Sequence, residues 1–188
     1  MPKIIVTAFV SADGVMEGPG GEPGYRNSGW TFKGVAFDEA IYEMKGQEQE
    51  EAGGLLLGRR SYEAFAPVWP TMDEFARYNA LPRWVVSTTL TDDDSRWPAT
   101  ILRSLDEVAE LRESDGDAPL LVHGSAELGA SLADAGLVDR YHLLVFPLLL
   151  GAGKRLFSTA DKDMTKLELV DQAVYGNGVQ KQVWDVVR

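Results

Sequence analysis

Two kinds of pattern alternate along this chain: short unbroken apolar runs, and stretches where apolar residues recur every three or four positions. The runs are Lys3 to Val10, Leu55-Leu56-Leu57 between glycines, Trp84-Val85-Val86 within Arg83 to Thr88, Leu120-Leu121-Val122, and Tyr141 to Phe146. Runs of this length, bounded by turn residues, predict strands buried on both faces. Thr100 to Arg103 reads as a shorter strand. Between the runs, helical spacing takes over. Phe37, Ile41 and Met44 fall on one face while Glu39, Glu43, Gln47 and Glu50 lie largely off it, which predicts an amphipathic helix over 36–52. Tyr62 and Phe65 predict a helix over 59–66, and Asp73 to Asn79 a short one. Ser104 and Glu107 match a capping box, with Leu105, Val108 and Leu111 turned inward. Leu128, Leu132 and Ala135 share a face that Gly136 terminates. Leu167 to Val174 and Val179 to Val187 predict a hairpin around Gly176-Asn177-Gly178. Residues 17 to 29 are rich in Gly and contain Pro19 and Pro23, which predicts a long mobile loop of the kind that closes over sites. With no repeat or linker, residues 1–188 read as one domain. The class is α/β: a mostly parallel central sheet with a C-terminal antiparallel β-hairpin at its edge.

Charge narrows the choice of partners. The net charge is -11 over 188 residues. Nucleic acids and anionic membranes need a basic surface, so neither is the expected partner. No cysteine is present, which excludes disulfides and thiolate metal sites and fits a cytoplasmic setting. The first residues enter a strand without a signal-peptide layout. The longest apolar run, Leu143 to Leu150, contains Pro147 and is far too short to span a membrane. It exceeds what one strand needs, which makes a homodimer an expectation.

The chemistry concentrates at strand ends. Gly58-Arg59-Arg60-Ser61 joins a buried strand to a helix start, where free N–H groups, a hydroxyl and two guanidinium groups make an anion site. A plain turn with two solvated arginines is the competing reading. Ser87-Thr88 and His123-Gly124-Ser125 end two further strands. In an open parallel sheet these ends share the edge where ligands bind, and together they offer what a dinucleotide needs. The glycine fingerprint of the Rossmann fold is absent; Gly151-Ala152-Gly153-Lys154 lacks its third glycine and reads as a turn. Asp92-Asp93-Asp94 reads as a solvated turn, and two histidines without cysteine give no basis for a metal site. Trp30, Phe32, Phe37 and Tyr42 form either a wall for a flat heterocycle or part of the core.

These pieces, in this order, resemble the dihydrofolate-reductase-like superfamily, and within it the reductase domain of bacterial riboflavin-biosynthesis deaminase-reductases. The resemblance rests on Ser11-Ala12-Asp13-Gly14, Leu55-Leu56-Leu57-Gly58-Arg59-Arg60-Ser61-Tyr62, Trp84-Val85-Val86-Ser87-Thr88, Val122-His123-Gly124-Ser125, and Pro147 to Phe157. It implies a three-layer α/β/α fold, NADPH as cofactor and a small heterocyclic substrate, of pyrimidine or pterin type. It further implies that Gly58, Arg59, Arg60 and Ser61 follow the phosphates, and that Ser87, Thr88 and Arg59 surround the 2′-phosphate. Gly124, Ser125, Ala126 and Glu127 would cap the pyrophosphate, and Phe9, Val10 and Met16 would lie near the nicotinamide. Dihydrofolate reductases carry an acid at the start of the first helix, a position Asp38 approximates, although its spacing to Gly58 is longer here. Trp30, Phe37 and Tyr42 are the corresponding substrate-side candidates. The zinc deaminase domain usual in the riboflavin enzymes has no counterpart in these residues. A dinucleotide-binding protein of the same fold without turnover is the alternative.

Overall fold

Leu55, Leu56 and Leu57 are completely buried, as an apolar run between glycines requires of a strand covered on both faces. The structure is a computed structural model that describes residues 1–113 and 116–188. Its elements run β1 (Ile4–Ser11), α1 (Trp30–Lys33), α2 (Ala40–Glu51), β2 (Gly54–Gly58), α3 (Arg59–Phe65), α4 (Ala76–Ala80), β3 (Arg83–Val86), β4 (Thr100–Leu102), α5 (Leu105–Arg112), β5 (Leu120–His123), α6 (Ala126–Asp134), β6 (Arg140–Phe146), β7 (Leu167–Val174) and β8 (Gln180–Val186). Single turns of tighter helix occupy Trp69–Thr71 and Asp73–Phe75, the second opening the short helix expected over Asp73 to Asn79.

One eight-stranded sheet organises them in the order β4-β3-β2-β5-β1-β6-β8-β7. The first six of these are parallel; β8 is antiparallel to both β6 and β7. Alternate residues of each strand serve opposite layers. Ile4, Val6, Leu56, Leu120 and Val122 pack under Val108 of α5 and under Leu128 and Leu132 of α6. On the other face Ile5, Leu55, Leu57, Val85 and Leu121 meet Tyr62 of α3, Tyr78 of α4, Trp69 and Trp97. Beside them Ile41 and Met44 of α2 and Trp30 close over Leu144 and Phe146. The result is the three-layer α/β/α arrangement with an antiparallel edge. The Ser104 half of the capping box forms, Ser104 Oγ accepting from Glu107 N at 3.2 Å, while the Glu107 carboxylate accepts from Arg103 N, one residue before the cap, at 2.8 Å. Among the described residues no helix is long and apolar enough to cross a membrane.

Two expectations need correction. The helix over 36–52 begins only at Ala40, because the Asp38 carboxylate accepts from Ala40 N at 3.1 Å and turns the chain there. Its buried face is Ile41, Met44, Lys45 and Glu48, so Phe37 is left 79% exposed, stacked on Tyr42. The loop after β1, expected to be mobile, is tied down. Trp30 Nε1 donates to Glu17 O at 2.8 Å, Thr31 Oγ1 to Pro19 O at 2.7 Å and Tyr25 Oη to Ala152 O at 2.8 Å.

Candidate functional site

The carboxyl ends of β1, β2, β3 and β5 open on one edge of the sheet, and a cleft of about 920 Å³ lies across them. Its corner is built from two helix starts. β2 passes directly from Gly58 into α3, and β5 passes through Gly124 and Ser125 into α6. Gly124 and Ser125 both adopt left-handed backbone, φ 66° and 59°, and Ser125 is the only non-glycine among the described residues to do so. That turn lets Ser125 Oγ accept from Gly58 N at 3.0 Å while Ser61 Oγ accepts from Ser125 N at 3.0 Å. No side chain caps α3 or α6, and residues of both helix starts line the cleft. Arg59 and Arg60 stand beside them. The Arg59 guanidinium is held by Glu63 at 3.0 Å in a half-exposed pair.

Twelve of the expected residues meet in this cleft: Gly58, Arg59, Arg60 and Ser61; Ser87 and Thr88; Gly124, Ser125, Ala126 and Glu127; and Phe9 and Met16. Arg103 joins the wall at Ser87, donating to Ser87 O at 2.8 Å and Leu90 O at 2.6 Å. Lys154 closes the mouth, with its ammonium 2.5 Å from the Glu127 carboxylate.

Five expected residues are not among those lining it. Val10 points to the opposite face and packs in the core, one residue beyond Phe9. Trp30 is buried edge-on against Phe146, with ring centroids 5.2 Å apart. Phe37 and Tyr42 stack on each other at 5.6 Å on the outer side of α2. Asp38 binds Ala40 N and approaches Gly176 of the hairpin turn. The physical reason is the rotation of α2: Lys45, not the start of the helix, reaches the cleft.

Thr7, Lys45 and Glu48, on and beneath the floor of the cleft, went unread in the sequence. β5, β1 and β6 are in register at His123, Thr7 and His142, so these three side chains stand in a row under α2. Glu48, 3% exposed, accepts from Thr7 Oγ1 at 2.8 Å and from the Lys45 ammonium at 3.2 Å, and His142 Nδ1 lies 2.9 Å away. Lys45 also donates to Thr7 Oγ1 and lies 5.0 Å from the centroid of the Phe9 ring. Burial pushes the Glu48 carboxyl up, but the Lys45 charge and the His142 and Thr7 bonds outweigh it and hold its pKa at about 2. His123 sits edge-on to Trp69 and Tyr78. Burial, with the Lys45 charge adding to it, holds its pKa at about 3, so its ring is neutral. Phe65, Trp69 and Phe75 stack at 4.2 and 4.3 Å and complete an aromatic wall. Among the described residues no group of three or more acidic, His or Cys side chains is arranged to hold a metal.

Comparison with known proteins agrees with this fold. The family model described as the RibD C-terminal domain matches residues 2–181. An uncharacterised protein of Bacillus subtilis, YyaP, is 24% identical over 191 residues, covering 97% of this chain and 94% of that protein. A putative riboflavin biosynthesis protein from Shewanella sp. PV-4 has the same fold with a TM-score of 0.79 at 19% identity, covering 99% of each chain. A pyrimidine reductase-like protein from Corynebacterium diphtheriae gives 0.70 at 14% identity, over 100% of this chain and 92% of that one. RibD of Acinetobacter baumannii gives 0.68 at 15% identity; all of this chain covers 58% of it.

Proposed function

The chain belongs to the RibD C-terminal domain family, and from that premise and the lining of the cleft we propose that it is an NADPH-dependent reductase of pyrimidine-reductase type, acting on a small heterocycle. The observation that carries this reading is the paired start of α3 and α6. Two uncapped helix N-termini bridged by Gly58 and Ser125 offer N–H donors and a positive field, the combination that receives a pyrophosphate. The left-handed Ser125 is a strained position, and strain of this kind is retained where the backbone must meet a ligand. The residues present fit the cofactor. Gly58, Arg59, Arg60 and Ser61 would lie along its phosphates, and Gly124, Ser125, Ala126 and Glu127 would cap them. Ser87, Thr88, Arg59 and Arg103 would surround the 2′-phosphate. Phe9 and Met16 would flank the nicotinamide.

When bound, NADPH supplies the hydride, from C4 of its dihydronicotinamide ring. The chain's part is to fix the two rings face to face and keep water out. The aromatic wall and the tied loop at residues 16–25 line the space for this. A relative described as pyrimidine reductase-like supports a nitrogen heterocycle as the acceptor.

Titration of NADPH and NADH against the protein tests the reading. The Arg59–Glu63 pair is half exposed and worth little by itself, so the guanidinium is available to a phosphate. Arg59→Ala is expected to weaken NADPH about tenfold or more, the scale of one charged hydrogen bond, and NADH much less. Equal loss for both cofactors, or binding of neither, rejects the assignment.

A further inference from the structure

Arg59 and Phe65 are the first and last residues of α3, about 9 Å apart along its axis. One end of the helix faces the cleft with charge, the other with an aromatic ring. We propose that Phe65, Trp69, Phe75 and His123 form a stacking subsite for an uncharged planar ring, so that the acceptor is an unphosphorylated fused heteroaromatic compound and not a ring carrying a sugar phosphate. The proposal rests on the reductase reading only in setting part of that ring system beside the nicotinamide.

The rings form a column with a cross-wall. Trp69 lies between two Phe rings, 4.2 Å from Phe65 and 4.3 Å from Phe75, at interplanar angles of 11° and 14°. Tyr78 runs parallel to Trp69 at 13°. Trp69 and Tyr78 are buried, whereas Phe65 and Phe75 are half-buried and line the cleft. Another flat ring extends such a column in the offset stacking that aromatic rings favour. His123 stands across the column, at 80° to Phe65 and 86° to Trp69. The turns that carry the rings are fixed: Asn79 Nδ2 donates to Trp69 O at 2.8 Å, and Phe75 N donates to Met72 O at 3.1 Å.

This corner offers an anion nothing. His123 Nδ1 is enclosed without a partner, a setting costly for a charged imidazole, and burial holds its pKa at about 3. Lys45, whose charge acts on His123, is balanced by Glu48 at 3.2 Å. A phosphate set here loses its water and gains no free cation. An uncharged ring loses little water and gains the stack.

The distance to the nicotinamide side limits the size of the ligand. His123 and Thr7 are partners on adjacent strands, about 4.8 Å apart. Phe9 follows Thr7 on the same face of β1, about 7 Å further along the strand. Taken at right angles, these steps put His123 about 8 Å from Phe9. A fused ring system spans that interval.

The test is a binding measurement. The protein, with saturating NADP+ filling the arginine-lined end, is titrated with 1-naphthol and with 1-naphthyl phosphate, and the ring protons of each compound are followed by NMR. Naphthol is expected to bind about tenfold tighter or more, because a charge left without a partner costs at least as much as a lost hydrogen bond. Phe75→Ala is expected to weaken naphthol about tenfold, the scale of one lost stacking partner. Phe75→Tyr is expected to keep naphthol affinity, and Phe75→Arg to turn the preference toward the phosphate. NADP+ affinity and melting temperature report whether Phe75→Ala folds; if it does not, the unaltered protein and Phe75→Arg decide. Equal or tighter binding of the phosphate by the unaltered protein, binding of neither compound at millimolar concentration, or unchanged naphthol affinity in Phe75→Ala overturns the proposal. Failure of NADP+ to bind refutes the reductase reading instead, and the effect of Phe75→Ala on naphthol, measured without NADP+, then decides the subsite by itself.

Discussion

Replacing Glu48 with Gln keeps the shape of the cleft floor and removes its anion. The consequence follows from proton linkage. The unfolded carboxyl titrates near its ordinary value of 4.5; the folded one titrates at about 2, because the Lys45 charge and the bonds from His142 and Thr7 outweigh the opposing effect of burial. A depressed folded pKa means that the ionised group stabilises the fold fully above about pH 4.5 and ceases to do so as the pH falls toward 2. At about 1.4 kcal/mol per unit, the interval from 4.5 to about 2 corresponds to about 3 kcal/mol. A second route agrees. Removing one partner of a buried ion pair leaves an uncompensated charge and costs about 3–5 kcal/mol. Urea unfolding of both proteins at neutral pH and in acid reads the difference. Glu48→Gln is expected to be about 3 kcal/mol less stable at pH 7, with the gap closing in acid as the wild-type carboxyl protonates. A gap below about 1 kcal/mol at pH 7, or one that stays constant between about pH 7 and pH 3, would refute the reasoning.

Other outcomes follow from single contacts. Asp38→Asn removes only a charge at the start of α2, away from the cleft, so it is expected to alter stability by about 1 kcal/mol or less and to leave NADPH binding unchanged in the same titration. Ser104→Ala removes the N-cap of α5 and is expected to cost about 1 kcal/mol by urea unfolding. A homodimer is expected in solution: β7 is a sheet edge exposed along most of its length, with Val170 and Val174 in the open, and such an edge invites pairing. Light scattering that returns the mass of one chain at micromolar concentration would contradict it.

The strands were legible because their signal is local. Leu55 to Leu57 and Leu120 to Val122 are apolar on both sides, and only a strand covered by helices on both faces buries such a run. The Ser104–Glu107 box was legible for the same reason, since all its atoms lie within one turn. The corner at the starts of α3 and α6 could be read because its parts share a sequence habit: β2 and β5 each end in glycine or hydroxyl residues just where a helix begins. Arg103, Trp69 and Phe75 were not legible as site residues. Arg103 comes from the end of an edge strand, and the two aromatic residues from single turns between prolines. Only the tertiary packing brings them to the cleft.

The miss on α2 has a sharper cause. The helix obeys the spacing of an amphipathic helix: Ile41, Met44, Lys45 and Glu48 stand at i, i+3, i+4 and i+7, and all four are buried. A reading by apolar content finds only two of them and turns the helix toward Phe37, the nearest aromatic residue, which in fact faces water. Two charged residues at core positions are costly unless they compensate each other and find further partners. Here the partners are Thr7 and His142, on two strands distant in sequence. Nothing local to α2 announces them, so the pair reads as a solvated face. What the sequence does contain is Thr7, a polar residue inside the apolar run from Lys3 to Val10. It is fully satisfied in the fold, donating to Glu48 and accepting from Lys45. A hydroxyl in the middle of a doubly covered strand demands such partners, and the charged positions of α2 at helical spacing from Ile41 are where they are supplied. The fold thus sets a buried ion pair on the floor of its cleft, at a position where Leu would have been the cheaper choice for packing alone.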